Sequence, residues 1–127
     1  MRKKKILVVD DEIDFLKVIK FRLEVNGYEV ITAYDGEEAL KKLKSEKPDA
    51  LLLDILMPKI DGLGILKKVR EEDKILPVFI MTAFSNEERY DLASKFNASG
   101  FILKTSDLQK EVDSITSILS ISDENKK

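Results

Sequence analysis

Five times along this 127-residue chain a short strand-like run is followed by a segment of helical period, and few folds accommodate that alternation. The runs cover residues 6–9, 28–32, 50–53, 78–81 and 101–103. The third, Ala50-Leu51-Leu52-Leu53, is apolar at every position, as a strand covered on both faces must be. Between the runs, Phe15, Leu16, Ile19 and Leu23 share one helix face, and Ala39, Leu40 and Leu43 share another. Leu63, Ile65, Leu66 and Val69 mark a third helix, and Leu92, Ala93 and Phe96 a fourth. Leu108, Val112, Ile115 and Leu119 mark the fifth. Regular strand-helix alternation predicts an α/β protein with a parallel sheet, right-handed crossovers and helices on both faces. Five strands wound in this way most often take the order 2-1-3-4-5, a (βα)5 three-layer sandwich.

Punctuation agrees with this reading. Asn26-Gly27 ends the first helix, with Gly27 suited to a left-handed position. Asp35 with Glu38, Ser85 with Glu88, and Ser106 with Gln109 have the spacing of capping boxes at three helix starts. Residues 1–127 form a single domain with its core at about 5–121 and a polar, frayed tail over 122–127.

Two absences restrict the chemistry. With no Cys there are no disulfides, thiolate nucleophiles or Cys-held zinc, and with no His there is no Ser-His-Asp catalysis. Any metal must be held by oxygen, which points to a hard cation, Mg²⁺ first and Mn²⁺ as its alternative. The net charge of −2 gives no bulk field for nucleic acid, and the basic run at residues 2–5 reads as a solvated terminus. No apolar run approaches the ~20 residues of a membrane span, and the N-terminal residues lack a secretory h-region, so a cytoplasmic location is expected.

In a parallel sheet the carboxyl ends of the strands share one edge, where ligands bind. Here the first strand ends in Asp10 and Asp11, the third in Asp54, the fourth in Thr82 and the fifth in Lys104. Asp54 on its own is as compatible with a turn as with a site. Together, three converging carboxylates would repel unless a cation compensated, and a hydroxyl and an ammonium stand beside them. Such a set suits phosphoryl transfer, in which a carboxylate can serve as the nucleophile.

These residues, with Met57-Pro58, Asp61-Gly62, Thr82-Ala83 and Phe101, closely resemble the receiver domain of bacterial two-component response regulators. The resemblance covers residues 5 to about 121 and implies the flavodoxin-like, CheY-like form of the doubly wound fold. It further implies that Asp54 accepts a phosphoryl group from a phosphohistidine on a partner histidine kinase or histidine phosphotransfer protein. Asp11, the Asp54 carboxylate and the backbone carbonyl of Leu56 would ligate Mg²⁺, with Asp10 reaching it through water. Lys104 would contact the phosphoryl oxygens and Thr82 would turn inward to hydrogen-bond them. Phe101 would change rotamer with Thr82, altering the surface of the fourth helix, fifth strand and fifth helix that a downstream protein reads.

Three positions depart from the family pattern or tune it. Thr105 follows Lys104 where the family usually has proline, which bears on the placement of the lysine. Leu56 and Phe84, each two residues beyond a site residue, are apolar and cannot orient an attacking water, so slow self-dephosphorylation is expected. Weak phosphotransfer and self-dephosphorylation of this kind do not make a dedicated enzyme. No output module is recognisable, so either protein–protein contacts carry the signal or the chain is a receiver excised from a longer regulator. Direct nucleic-acid binding is not expected, and a homodimer would use the face around Arg89, Asp91 and Lys95. The competing function is a phosphorylation-independent scaffold on the same fold, which would have no use for the intact acids, Thr82 and Lys104.

Overall fold

The computed structural model of the protein describes residues 3–55, 62–82, 91, 94–104 and 107–126. Its strands are β1 (Lys5–Val9), β2 (Glu29–Ala33), β3 (Ala50–Asp54), β4 (Val78–Thr82) and β5 (Gly100–Leu103). They form one sheet in the order β2-β1-β3-β4-β5, and every neighbouring pair is parallel. The helices with continuous described backbone are α1 (Ile13–Val25), α2 (Gly36–Glu46), α3 (Gly62–Glu72) and α4 (Leu108–Lys126). Helical backbone at Asp91, Ser94 and Lys95 falls within the fourth helix expected from sequence. The expected cap at residues 85–88, and Leu92 and Ala93, lie outside the described residues.

The sheet divides the interior in two because successive side chains of a strand point to opposite faces. Ile6, Val8, Ala50, Leu52, Phe79, Met81 and Ile102 pack with Leu16, Ile19 and Leu23 of α1 and with Val112, Ile115 and Leu119 of α4. On the other face Leu7, Val9, Leu51, Leu53, Val78 and Ile80 meet Ala39 of α2 and Ile65, Leu66 and Val69 of α3. The inner strands β3 and β4 are buried at all five positions, which explains the apolar residues at the first four of each. Each such Leu or Ile contributes ~1.5–3 kcal/mol of transfer free energy. The edge strands β2 and β5 are buried only in part.

Local signals account for most of the boundaries. Asp35 Oδ1 accepts from the Glu38 backbone N–H at 2.8 Å, while the Glu38 carboxylate lies 3.3 Å from Lys42 rather than closing the box. Gly27, at φ +95°, turns the chain from α1 into β2. At the start of α4 the cap is Asp107, whose Oδ1 accepts from the Gln109 N–H at 3.0 Å; this lies one residue later than the expected Ser106 box. The tail expected to fray from Ser122 continues as helix to Lys126, since no Gly or Pro follows Leu108 to stop it. Arg70, buried near the end of α3, donates from Nε and Nη2 to the Asn97 carbonyl at 3.1 and 2.8 Å. Its Nη1 donates to the Asp73 carbonyl at 3.1 Å, so one guanidinium ties α3 to the chain entering β5.

The hydrogen-bond ladders do not stop with the strands. Asp10 N–H donates to the Ala33 carbonyl at 3.1 Å, Ile55 N–H to Met81 at 3.0 Å, and Lys104 N–H to Thr82 at 2.9 Å. Residues just past β1, β3 and β5 are thereby fixed to the carboxyl edge by backbone bonds before any side chain contributes.

Candidate functional site

Asp54 closes β3 and pairs in register with Met81, so Thr82 stands one residue farther along the neighbouring strand. Both are buried, as is Asp10, which has no exposed surface. From β5, the Lys104 ammonium enters this group almost completely covered, with 6% of its side chain exposed. Its Nζ lies 2.8 Å from Asp10 Oδ2 and 3.4 Å from Asp54 Oδ2, and it also contacts Glu12 Oε1. The Phe15 ring centroid is 4.7 Å from the same nitrogen, a cation–π contact that walls the ammonium on the α1 side.

Burial dominates the electrostatics. Loss of water raises the Asp10 carboxyl from 3.8 to about 6, against the opposing pull of Lys104 and of the Glu12 N–H, which donates to Asp10 Oδ1 at 2.9 Å. The nearby Asp54 charge pushes in the same direction as burial. For Lys104, burial alone would lower the pKa, but hydrogen bonds to Asp10 and Glu12 and the charges of Asp10 and Asp54 outweigh it and raise it. One ammonium thus faces three carboxylates, leaving an excess of negative charge at the edge.

That excess suits a divalent cation. Among the described residues, Asp10, Glu12 and Asp54 each offer a carboxylate oxygen, and these oxygens lie within 4.8 Å of one another. An all-oxygen donor set fits Mg²⁺ or Mn²⁺ and excludes the softer metals that need nitrogen or sulfur. Asp11, the acid expected to ligate directly, is exposed beside this group.

Of the residues read from sequence, Asp10, Asp54, Thr82 and Lys104 come together at the strand ends. Phe101 lies on β5 opposite Ile80, 37% exposed at the surface rather than packed in the core. Leu56, Phe84 and Thr105 lie outside the described residues, as does Arg89. Sequence reasoning missed two members, Glu12 and Phe15. The signal for Glu12 is a third acid at the start of α1, where a capping residue is expected; the spacing of Phe15 with Leu16, Ile19 and Leu23 points to the core alone.

Gly62 has a specific reason to be glycine. A Cβ there would lie 2.9 Å from Ile55 Cα and overlap the Asp54 carbonyl oxygen. The first turn of α3 therefore packs directly on the backbone that carries Asp54, with no room for a side chain.

Residues 6–116 match the family described as the response regulator receiver domain. The alkaline phosphatase synthesis transcriptional regulatory protein PhoP of Bacillus subtilis is 44% identical over 101 residues, covering 80% of this chain and 42% of that protein. The chain spans less than half the length of the curated relatives it matches first. A CheY-like response regulator receiver domain protein from Methanospirillum hungatei superposes with a TM-score of 0.92 at 27% identity, covering 98% of this chain and 99% of that one. A response regulator receiver domain protein from Clostridium thermocellum gives 0.87 at 31% identity, covering 94% and 97%. With the family matched across nearly all of the sequence, and the acidic edge in the positions just described, this chain belongs to the response regulator receiver domains of two-component systems.

Proposed function

We propose that the domain is a phosphoacceptor switch in which Asp54 takes a phosphoryl group from a phosphohistidine of a partner kinase or phosphotransfer protein. The observation that carries this reading is the buried Asp54 carboxylate at the strand edge, with Asp10, Glu12 and Lys104 around it. In the transfer, an Asp54 carboxylate oxygen forms a bond to phosphorus while the phosphorus–nitrogen bond of the donor breaks. The departing electron pair stays on the imidazole nitrogen, which takes a proton from solvent.

Each neighbour has a part. Lys104, already 3.4 Å from Asp54, meets the new phosphoryl oxygens with its ammonium. Thr82 supplies a hydroxyl from the adjacent strand end. Asp11, Asp54 and the Leu56 carbonyl are the proposed direct ligands of Mg²⁺, with Asp10 behind water. When bound, Mg²⁺ would supply positive charge against the phosphoryl oxygens. Phe101, half-exposed on β5, follows Thr82 and changes the surface offered to a downstream protein. That face includes Asp91 and Lys95, both exposed and available for self-association. The apolar Leu56 and Phe84 leave an attacking water unoriented, so the aspartyl phosphate persists well beyond seconds.

The test is incubation with acetyl phosphate and Mg²⁺ followed by intact-mass measurement. A gain of one phosphoryl group in the wild type, absent from Asp54→Asn and after chelation, is expected. No gain in the wild type would leave a phosphorylation-independent scaffold as the better account.

A further inference from the structure

We propose that Glu12 is a positioning residue that holds Lys104 on the Asp10 side of the resting site and competes with the phosphoryl group for it. The inference rests on the phosphoacceptor reading above and adds a residue to it.

Glu12 occupies the N-cap position of α1, with extended backbone angles (φ −88°, ψ 100°), yet its side chain makes no capping hydrogen bond. Ser, Thr, Asp and Asn cap helices because their oxygens reach the N2 or N3 N–H; the longer Glu gives that up here. Its carboxylate instead contacts Lys104 Nζ. The backbone also serves this geometry. Glu12 N–H donates to Asp10 Oδ1 at 2.9 Å, fixing the buried acid and starting α1 where the Glu12 side chain can reach the ammonium.

Position decides what the contact does. Lys104 Nζ stands 2.8 Å from Asp10 Oδ2 and 3.4 Å from Asp54 Oδ2, so with Glu12 also in contact its closer partners lie on the Asp10 side. The three N–H donors of the ammonium are shared among Asp10, Glu12 and Asp54, so taking up a phosphoryl oxygen on Asp54 releases Glu12. That step is reversible because Glu12 is 62% exposed, so water can solvate its carboxylate once the lysine has gone. Asp10, fully buried, has no such compensation and could not act as a release. Glu12 is the exposed end of the latch, and Lys104 is its moving part.

Glu12→Gln keeps the length and removes the charge. The probe is beryllofluoride, a phosphoryl mimic, titrated at saturating Mg²⁺ and followed by ¹⁹F NMR, with the Lys104 Nζ resonance read by ¹⁵N NMR. Because Glu12 is exposed, the pair is worth little, and a gain of about threefold in beryllofluoride affinity is expected for the variant. The Lys104 resonance should shift between wild type and variant in the resting protein and coincide in the beryllofluoride form. Unchanged affinity, or a Lys104 resonance indifferent to the substitution at rest, overturns the proposal. Weaker binding overturns it as well, and makes Glu12 a cation ligand instead. If the wild type itself takes up no beryllofluoride with Mg²⁺, the phosphoacceptor reading falls and this inference falls with it.

Discussion

Asp10 is a buried acid of the site, with no exposed surface. Its carboxyl is raised to about 6, chiefly by burial, so the folded protein binds that proton more tightly than the unfolded chain does. The stability contributed by that proton is full below about 4 and is lost as pH rises through about 6. Lys104 has the opposite practical consequence. Its pKa is raised, so its contribution is full throughout this range and fades only in alkali. In the absence of divalent cation, Asp10→Asn should therefore remove a loss of stability between pH 4 and 6. It should also leave the protein more stable at pH 7, by something on the order of 2 kcal/mol. Denaturant unfolding across that range checks this; a variant less stable than wild type at pH 7 would show that the Asp10–Lys104 pair outweighs the burial of the acid. At this scale the grouping of Asp10, Asp54, Thr82 and Lys104 was legible, because they sit at strand ends that the apolar runs themselves mark. Glu12 was not, since its membership depends on where a flexible side chain turns after the chain has entered α1.

Among the elements, β3 carries Asp54 and the start of α3 packs against the backbone behind it. The unbroken apolar sequence of β3 announces a central strand, and its burial at every position follows from helices covering both faces. What sequence could not convey is how closely α3 approaches. Gly62 has no room for a Cβ against Asp54 and Ile55, so Gly62→Ala must displace either the helix or the strand end that bears Asp54. We expect a loss of ~1–3 kcal/mol in unfolding free energy and slower phosphorylation of Asp54, measured by urea titration and by phosphoramidate labelling. A variant of wild-type stability and rate would contradict the close approach. The helix ends were read less well for an ordinary reason. Ser106 and Asp107 are both good caps, and which one caps depends on the path out of β5 rather than on either residue. The polar composition of residues 122–126 suggested fraying, but no residue there opposes continuation of a helix already anchored by Val112, Ile115 and Leu119.

For the whole molecule, the two-layered packing around one parallel sheet makes the acidic edge a feature of the global fold. Its strands come from residues far apart in sequence, so the site exists only when the domain is folded. A ligand of that site must then stabilise the domain as a whole, by about 2.7 kcal/mol at a hundredfold excess over its dissociation constant. Mg²⁺ should accordingly raise the thermal midpoint of the wild type in a saturable way, and Asp54→Asn should blunt the effect. Equal shifts in the two proteins would place the cation elsewhere. The strand order was legible at this scale because alternation and crossover handedness leave few alternatives. The downstream partner was not, since its identity depends on molecules outside the chain.

The claim on which the rest depends is that the phosphoryl group goes to Asp54 itself. Borohydride reduction of the phosphorylated protein, followed by peptide sequencing in a mass spectrometer, locates an acyl phosphate as homoserine. The account predicts homoserine at position 54 in the wild type when Mg²⁺ is present, and none when it is chelated. Homoserine at position 10 or 11 of the wild type in place of 54 would contradict it.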